Sequence, residues 1–287
     1  MLMQTRTPPL RLMLAAVAAL FVAGCQQAYF RALNLGVEDG ESIQYDAEAR
    51  LSMDVYRPAR GTTASAVVVF FYGGSWRSGQ RNYYSFVGRA LARRGVLVLI
   101  PDYRKAPEHP FPAFMHDGAK AVAWARSNVA TMGGDPARIY LMGHSAGAQI
   151  AALLATDASY LAPHALKPRD LAGVIGLAGP YDFLPLTDPA VMQALGPASG
   201  WPRTQPINFV DGDEPPFLLI QGDKDRSVDP GNSVRLAERL RAQQQSVTVT
   251  MVPGVGHVGL LNGFYSTRVS PVLEGSVDWI ERGAVAR

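Results

Sequence analysis

The chain has one cysteine, Cys25, so no disulfide within it can staple the fold. Charge is sparse: 18% of the 287 residues are Asp, Glu, Lys or Arg, and the net charge is only +3. No run of Lys and Arg interleaved with aromatics occurs, so the electrostatic footprint of a nucleic-acid binder is missing. That small, unclustered charge also gives no sign of an acidic polymer as substrate. The apolar run Leu12 to Val22 is short for a helix that must cross about 30 Å of hydrocarbon. No internal repeat is visible. What is present is a 48% apolar composition, that of an ordinary globular protein with a core.

The first residues read as an export signal. Arg6 and Arg11 form a positive flank, and Leu12 to Val22 an apolar centre. Val22-Ala23-Gly24-Cys25 closes it and resembles the bacterial lipobox. That resemblance implies cleavage before Cys25 and diacylation of Cys25, and two acyl chains on one residue anchor stably where one would not. Residues 1–24 are then a lipoprotein signal peptide, 25–45 a lipidated tether with some helical character that gives way to strand-like material, and 46–287 the folded domain. The protein is expected in the bacterial cell envelope, held to a membrane. Gln26 in place of an aspartate leans towards the outer membrane by analogy with sorting rules.

Downstream, strand and helix patterns alternate with short links. Leu51 to Arg57 alternates apolar and polar residues, as a half-exposed strand does. Ala66 to Tyr72, Val96 to Ile100, Ile139 to Met142, Leu171 to Ala178 and Pro216 to Gln221 are apolar runs of the kind buried on both faces, and Val247 to Val252 is a further strand. Helices are predicted over Tyr83 to Arg94, Ala113 to Met132, Ser233 to Gln243 and Val269 to Ile280. In the third of these, Val234, Leu236, Ala237 and Leu240 are expected to face inward. Residues 181–212 have little periodicity and read as an insertion over the sheet that shapes a pocket. The alternation predicts one α/β domain, a mostly parallel central sheet with helices on both faces.

Chemistry concentrates at Gly143-His144-Ser145-Ala146-Gly147, between an apolar strand and an alanine-rich helix. This is the G-x-S-x-G nucleophile elbow in its strand–turn–helix context, and it makes Ser145 the nucleophile. A serine needs a base, itself oriented by a third group. Of the five histidines, His109, His116 and His164 sit in loops or a helix start, and His144 is expected to pack beneath the elbow. His257 follows the last predicted strand, at the carboxyl edge where Ser145 also lies. The acid is expected between serine and histidine in the chain. Asp225 in Gln221-Gly222-Asp223-Lys224-Asp225 is preferred, with Asp223 capping the turn and Asp182 as a rival at the same edge. Oxyanion donors are expected from the N–H of Ala146 and from the loop at Gly74 and Ser75.

From about residue 45 onward the chain resembles an α/β-hydrolase of the serine esterase type. Gly73-Gly74-Ser75-Trp76 is similar to the oxyanion motif, and Asp102 to Ala113 to a stretch of hormone-sensitive-lipase-like carboxylesterases. The segment Gly133 to Leu154 and Gly179-Pro180-Tyr181-Asp182 resemble the bifunctional feruloyl/acetyl-xylan esterase-like group, which kynurenine formamidases approach. Tyr72 stands where that oxyanion motif usually has histidine, and Ser75 where the lipase-like branch has glycine. The resemblance implies Ser145, Asp225 and His257 as triad, and Gly74, Ser75 and Ala146 as oxyanion hole. It also implies a carboxylesterase for small esters with short or aryl acyl groups, needing no cofactor or metal. An arylformamidase or amidase, and a non-catalytic envelope lipoprotein that binds through the fold, are the alternatives.

Overall fold

The computed structural model describes residues 28–58 and 65–283. The expected signal peptide and Cys25 lie outside the described residues. Eight strands form a single sheet: β1 (Glu41–Asp46), β2 (Leu51–Tyr56), β3 (Ser65–Phe71), β4 (Leu97–Pro101), β5 (Gly134–His144), β6 (Gly173–Leu177), β7 (Phe217–Gly222) and β8 (Val247–Val252). Their spatial order is β1-β2-β4-β3-β5-β6-β7-β8. Only β2 runs against its neighbours, β1 and β4; the pairs from β4 through β8 are parallel. Every residue of β3 is buried, as its unbroken apolar run requires. Each such Val or Phe side chain taken from water contributes roughly 1.5–3 kcal/mol.

Register assigns the helices to faces, because side chains alternate across a strand. Phe71 pairs with Gly143, and its ring lies against α3 (Ala113–Asn128), itself packed on α4 (Ala146–Thr156). Tyr140, three residues before Gly143, points the other way and meets Trp279 of α7 (Val272–Glu281) edge-on at 5.8 Å. There α7 packs against α2 (Ser85–Ala92), while α6 (Gly231–Ala242) covers β7 and β8. The loops after β3, β5, β6, β7 and β8 therefore leave the same carboxyl edge of the sheet, where α/β proteins place their ligands. The loop after β4 is pinned by Asp117 of α3, fully buried, which accepts from the Arg104 backbone N–H at 2.8 Å and its Nη2 at 2.7 Å.

Four expectations need correction. Residues 28–45 carry the expected helix and then strand, but they pack into the folded domain instead of forming a tether ahead of it: α1 (residues 28–33) buries Phe30 against Tyr83 and Tyr84, with ring centroids 5.6 and 5.0 Å apart, and β1 begins at Glu41. Strand β2 is covered rather than half-exposed, because Arg81 reaches Asp54 at 2.7 Å. Burial raises the Asp54 carboxyl to about 6 against the pull of that guanidinium. Val234 is 40% exposed; Asn232 and Ser233 take the inward positions on α6. The last helix starts at Val272 after Pro271, leaving Val269 outside it. Among the described residues, no helix is long and apolar enough to cross a membrane.

Candidate active site

Ser145 sits between β5 and α4 with φ 57° and ψ −124°, a conformation that costs a non-glycine residue of order 1–3 kcal/mol. Its neighbours explain why the turn still forms. A Cβ on Gly143 would lie 2.2 Å from the Gly147 carbonyl oxygen, and one on Gly147 would lie 2.0 Å from that of Phe71. The two glycines thus let the elbow close on itself and seat α4 against the end of β3. The Ser145 N–H donates to the Leu177 carbonyl at 2.9 Å, which ties the strained residue to β6.

The structure brings Ser145, His257 and Asp225 together from three separate loops. The Ser145 hydroxyl donates to His257 Nε2 at 2.9 Å, and His257 Nδ1–H donates to Asp225 Oδ2 at 2.7 Å. Asp225 is itself held. Its Oδ1 accepts from the N–H groups of Ser227 and Val228 at 2.8 and 2.9 Å, and Oδ2 also takes Gln221 Nε2 at 2.9 Å. Burial works against the charge of Asp225, but the hydrogen bonds from His257, Val228 and Ser227 outweigh it and hold the carboxyl below its usual range. Asp223 caps the neighbouring turn by accepting from Gly254 N–H at 2.7 Å. The rival Asp182 accepts instead from Arg235 Nε at 2.6 Å, and the acceptor of His257 Nδ1–H is Asp225.

The expected oxyanion donors lie in the same cavity. Ala146 is the first residue of α4, so its N–H has no acceptor within the helix. The N–H groups of Gly74 and Ser75 have no acceptor among the described residues. Gly74 adopts φ 140°, and a Cβ there would lie 2.2 Å from the Ser78 carbonyl oxygen, so the tight loop demands glycine. Tyr72 does not hold this loop in the way of the absent histidine. Its hydroxyl bonds Asp102 and its ring stacks on Tyr103 at 4.5 Å. The loop is held instead by Trp76, whose Nε1–H donates to Gln149 of α4 at 2.9 Å, and by Gly73 N–H donating to the Tyr84 hydroxyl at 3.2 Å.

Tyr84, Gln149, Gln221 and Asn232 were not legible as site residues. Only Gln149, polar inside the apolar pattern of α4, leaves a signal. Tyr84 joins His144 in a buried chain. The His257 carbonyl can only accept, so His144 carries its proton on Nε2 and donates there at 3.3 Å. Its Nδ1 then accepts from the Tyr84 hydroxyl at 3.1 Å. The chain from Gly73 through Tyr84 and His144 to His257 links the oxyanion loop to the base.

Burial, with the nearby His257 adding to it, pushes His144 down from 6.5 to about 3. An unfolded chain takes up this proton below about pH 6.5 while the folded chain refuses it. Stability from this group is therefore complete above pH 6.5 and falls on acidification towards pH 3, by up to about 1.4 kcal/mol per pH unit. Urea denaturation is expected to show a shallower pH dependence over that window for His144→Gln than for the wild type. Equal slopes would show that another group carries the acid sensitivity.

The triad opens into a cavity of about 890 Å³. Trp76, Phe183, Leu184 and Val191 form an apolar wall, with Trp76 and Phe183 stacked at 5.9 Å. Asp182, Asp229, Asn232 and Arg235 form a polar one. Asn232 shapes it by accepting from the N–H groups of Tyr181 and Asp182, each at 2.8 Å. Among the described residues, no group of three His, Cys, Asp or Glu is placed to hold a metal ion.

The sequence model of the BD-FAE family matches residues 53–240. Isoprenylcysteine alpha-carbonyl methylesterase ICME of Arabidopsis thaliana is 28% identical over 249 residues, 76% of this chain and 56% of that protein. Esterase LipC of Mycobacterium tuberculosis is 32% identical over 243 residues, 77% of this chain and 60% of that one. The chain thus spans little more than half the length of these relatives. Among solved structures, Thermogutta terrifontis esterase 2 superposes with a TM-score of 0.72 at 22% identity, covering 88% of this chain and 97% of that one. A truncated carbohydrate esterase from gut microbiota gives 0.73 at 22% identity, covering 86% and 96%. These likenesses establish the α/β-hydrolase fold that the sheet order displays. With the family match running from β2 through most of α6 and across the elbow, the chain belongs to the BD-FAE family.

Proposed function

We propose that the protein is a serine carboxylic ester hydrolase working through an acyl-serine intermediate on esters with short or aryl acyl groups. The observation that carries this is the hydrogen-bonded line from Ser145 through His257 to Asp225, beside backbone N–H groups with no other acceptor. Ser145 Oγ attacks the ester carbonyl as His257 Nε2 takes its proton, and Asp225 stabilises the resulting imidazolium without taking a proton itself. The N–H groups of Ala146 and of the Gly74–Ser75 loop receive the oxyanion, each such donor contributing about 3–4 kcal/mol to the transition state. His257 returns the proton to the leaving alcohol. Water, activated by the same imidazole, then releases the acid and restores the serine.

The names of the relatives, an esterase and a methylesterase, support ester chemistry. The stacked Trp76 and Phe183 offer a flat apolar surface suited to an aryl group. A fluorophosphonate probe is expected to label the wild type at Ser145, read by peptide mass spectrometry. A wild type that takes no label would favour a binding role over catalysis.

We also propose that Cys25 is diacylated and holds the protein to a bacterial envelope membrane, on the strength of the lipobox-like Val22-Ala23-Gly24-Cys25 and the flanking export pattern. Cys25→Ala is expected to move the protein from the membrane pellet to the soluble fraction. Unchanged fractionation would remove the anchor.

A further inference from the structure

Tyr29 places one wall of the cavity close to the lipid attachment residue. Its side chain lines the cavity beside His257 and Val258. Its hydroxyl donates to Asn262 Oδ1 at 2.5 Å, with the Val258 carbonyl 3.3 Å away, so the start of the fold is bound to the loop that carries the base. Phe30 in the core fixes the same turn from the other side. Tyr29 is the fourth residue after Cys25, and four residue steps span at most about 14 Å of extended chain. An acylated Cys25 lies at the bilayer surface, so the cavity wall is leashed within about that distance of it.

The surface around this point has the composition of an interfacial patch. Leu35 is 87% exposed, Tyr265 53% and Val269 44%. The segments carrying Leu35 and Tyr265 meet across Phe86: Asn34 accepts from its backbone N–H, and the Tyr265 ring stacks on its ring at 5.5 Å. Arg31 and Arg268 are exposed in the same two segments and have no acidic partner among the described residues. Apolar and aromatic side chains beside cations suit an anionic lipid surface.

We infer that the short leash holds the catalytic cavity against the bilayer, and that the substrates are amphiphilic esters resident in the membrane, a short acyl group on a long apolar alcohol. This rests on the hydrolase and lipid-anchor readings above. Hydrolysis takes one water, releases the short acid to solvent and leaves the alcohol in the bilayer. The advantage is effective concentration: enzyme and ester are confined to one surface layer, and the gain is lost when the linker lets the cavity roam.

The test compares two lipidated full-length proteins in phosphatidylethanolamine–phosphatidylglycerol vesicles: the wild type, and a variant with about thirty Gly/Ser residues inserted between Gln27 and Ala28. Such a spacer has a root-mean-square span of about 30 Å. The spacer is expected to lower the rate on hexadecyl butyrate dissolved in the same vesicles by about fivefold or more. It should leave kcat/KM for soluble p-nitrophenyl butyrate within about twofold, since the triad is untouched. A smaller loss on the vesicle ester overturns the inference and leaves both underlying readings standing. Failure of both proteins on p-nitrophenyl butyrate overturns the hydrolase reading, and a wild type that does not float with the vesicles overturns the anchor; the inference falls with either.

Discussion

Replacing Ser145 by alanine is expected to lower kcat for p-nitrophenyl acetate by about 10⁴-fold or more, with KM within about threefold. The size of the loss follows from what else the cavity contains. Ser75, Ser78 and Ser227 also line it, but among the described residues only the Ser145 hydroxyl lies within hydrogen-bond reach of His257 Nε2. The Ser78 hydroxyl donates instead to the Gly74 carbonyl. A serine without a base attacks esters slowly, so no neighbour can take over the step. The fold should not suffer, because alanine keeps the Cβ that the elbow already accommodates at φ 57°. The Ser145 N–H to Leu177 and the donor N–H of Ala146 are backbone groups and survive the change. Residual turnover would come from the oxyanion donors and substrate positioning alone. Hydrolysis at the wild-type rate, with an unchanged thermal midpoint, would remove Ser145 from the chemistry.

How far the site was legible depends on what kind of signal each residue leaves. Continuous apolar runs announce β3, β4 and β7 because both faces of those strands are covered. The elbow is legible because its five residues are contiguous between an apolar strand and a helix, although only Gly143 is dictated by a near neighbour, Gly147, while Gly147 is dictated by the Phe71 carbonyl of β3. The catalytic edge follows once the sheet is parallel, and with it the placement of His257 and Asp225. The residues that escaped notice act through contacts distant in sequence. Tyr84 meets His144 sixty positions away, and Tyr29 meets Asn262 across 233. A tyrosine bound in such a way looks like any other aromatic in a helix. The same reason hid the docking of residues 28–45: their helix-then-strand character is legible, but Phe30 is anchored by Tyr83 and Tyr84, far along the chain. Val234 was misplaced for a different reason. Hydrophobicity suggested that it faced inward, but the inward positions of α6 are needed by Asn232, which holds the backbone of Tyr181 and Asp182, and by Ser233.

Asp225→Asn is expected to lower kcat about 10⁴-fold although it changes the side chain by one atom. The reason lies in how the carboxylate is gripped. Two backbone N–H groups, those of Ser227 and Val228, donate to Oδ1, and an asparagine must keep its carbonyl oxygen there to satisfy both. Its amide nitrogen is then forced into the place of Oδ2, facing His257 Nδ1. Two donors cannot share that contact, so His257 gives up the proton on Nδ1 and carries it on Nε2 instead. In that tautomer Nε2 has no lone pair to offer Ser145, and the base is lost without any residue moving. Gln221 Nε2 loses its acceptor as well, which adds a local cost. Reversing the amide would restore the acceptor for His257 and Gln221 but set its NH₂ against two backbone donors, whereas the change of tautomer leaves only the Gln221 contact unmade. The expected kinetic pattern is a large fall in kcat with KM nearly constant, since the cavity walls are unaltered. A variant retaining more than about a tenth of wild-type kcat would show that orientation of the imidazole comes from elsewhere. The carbonyl contact between His257 and His144 would then be the place to look.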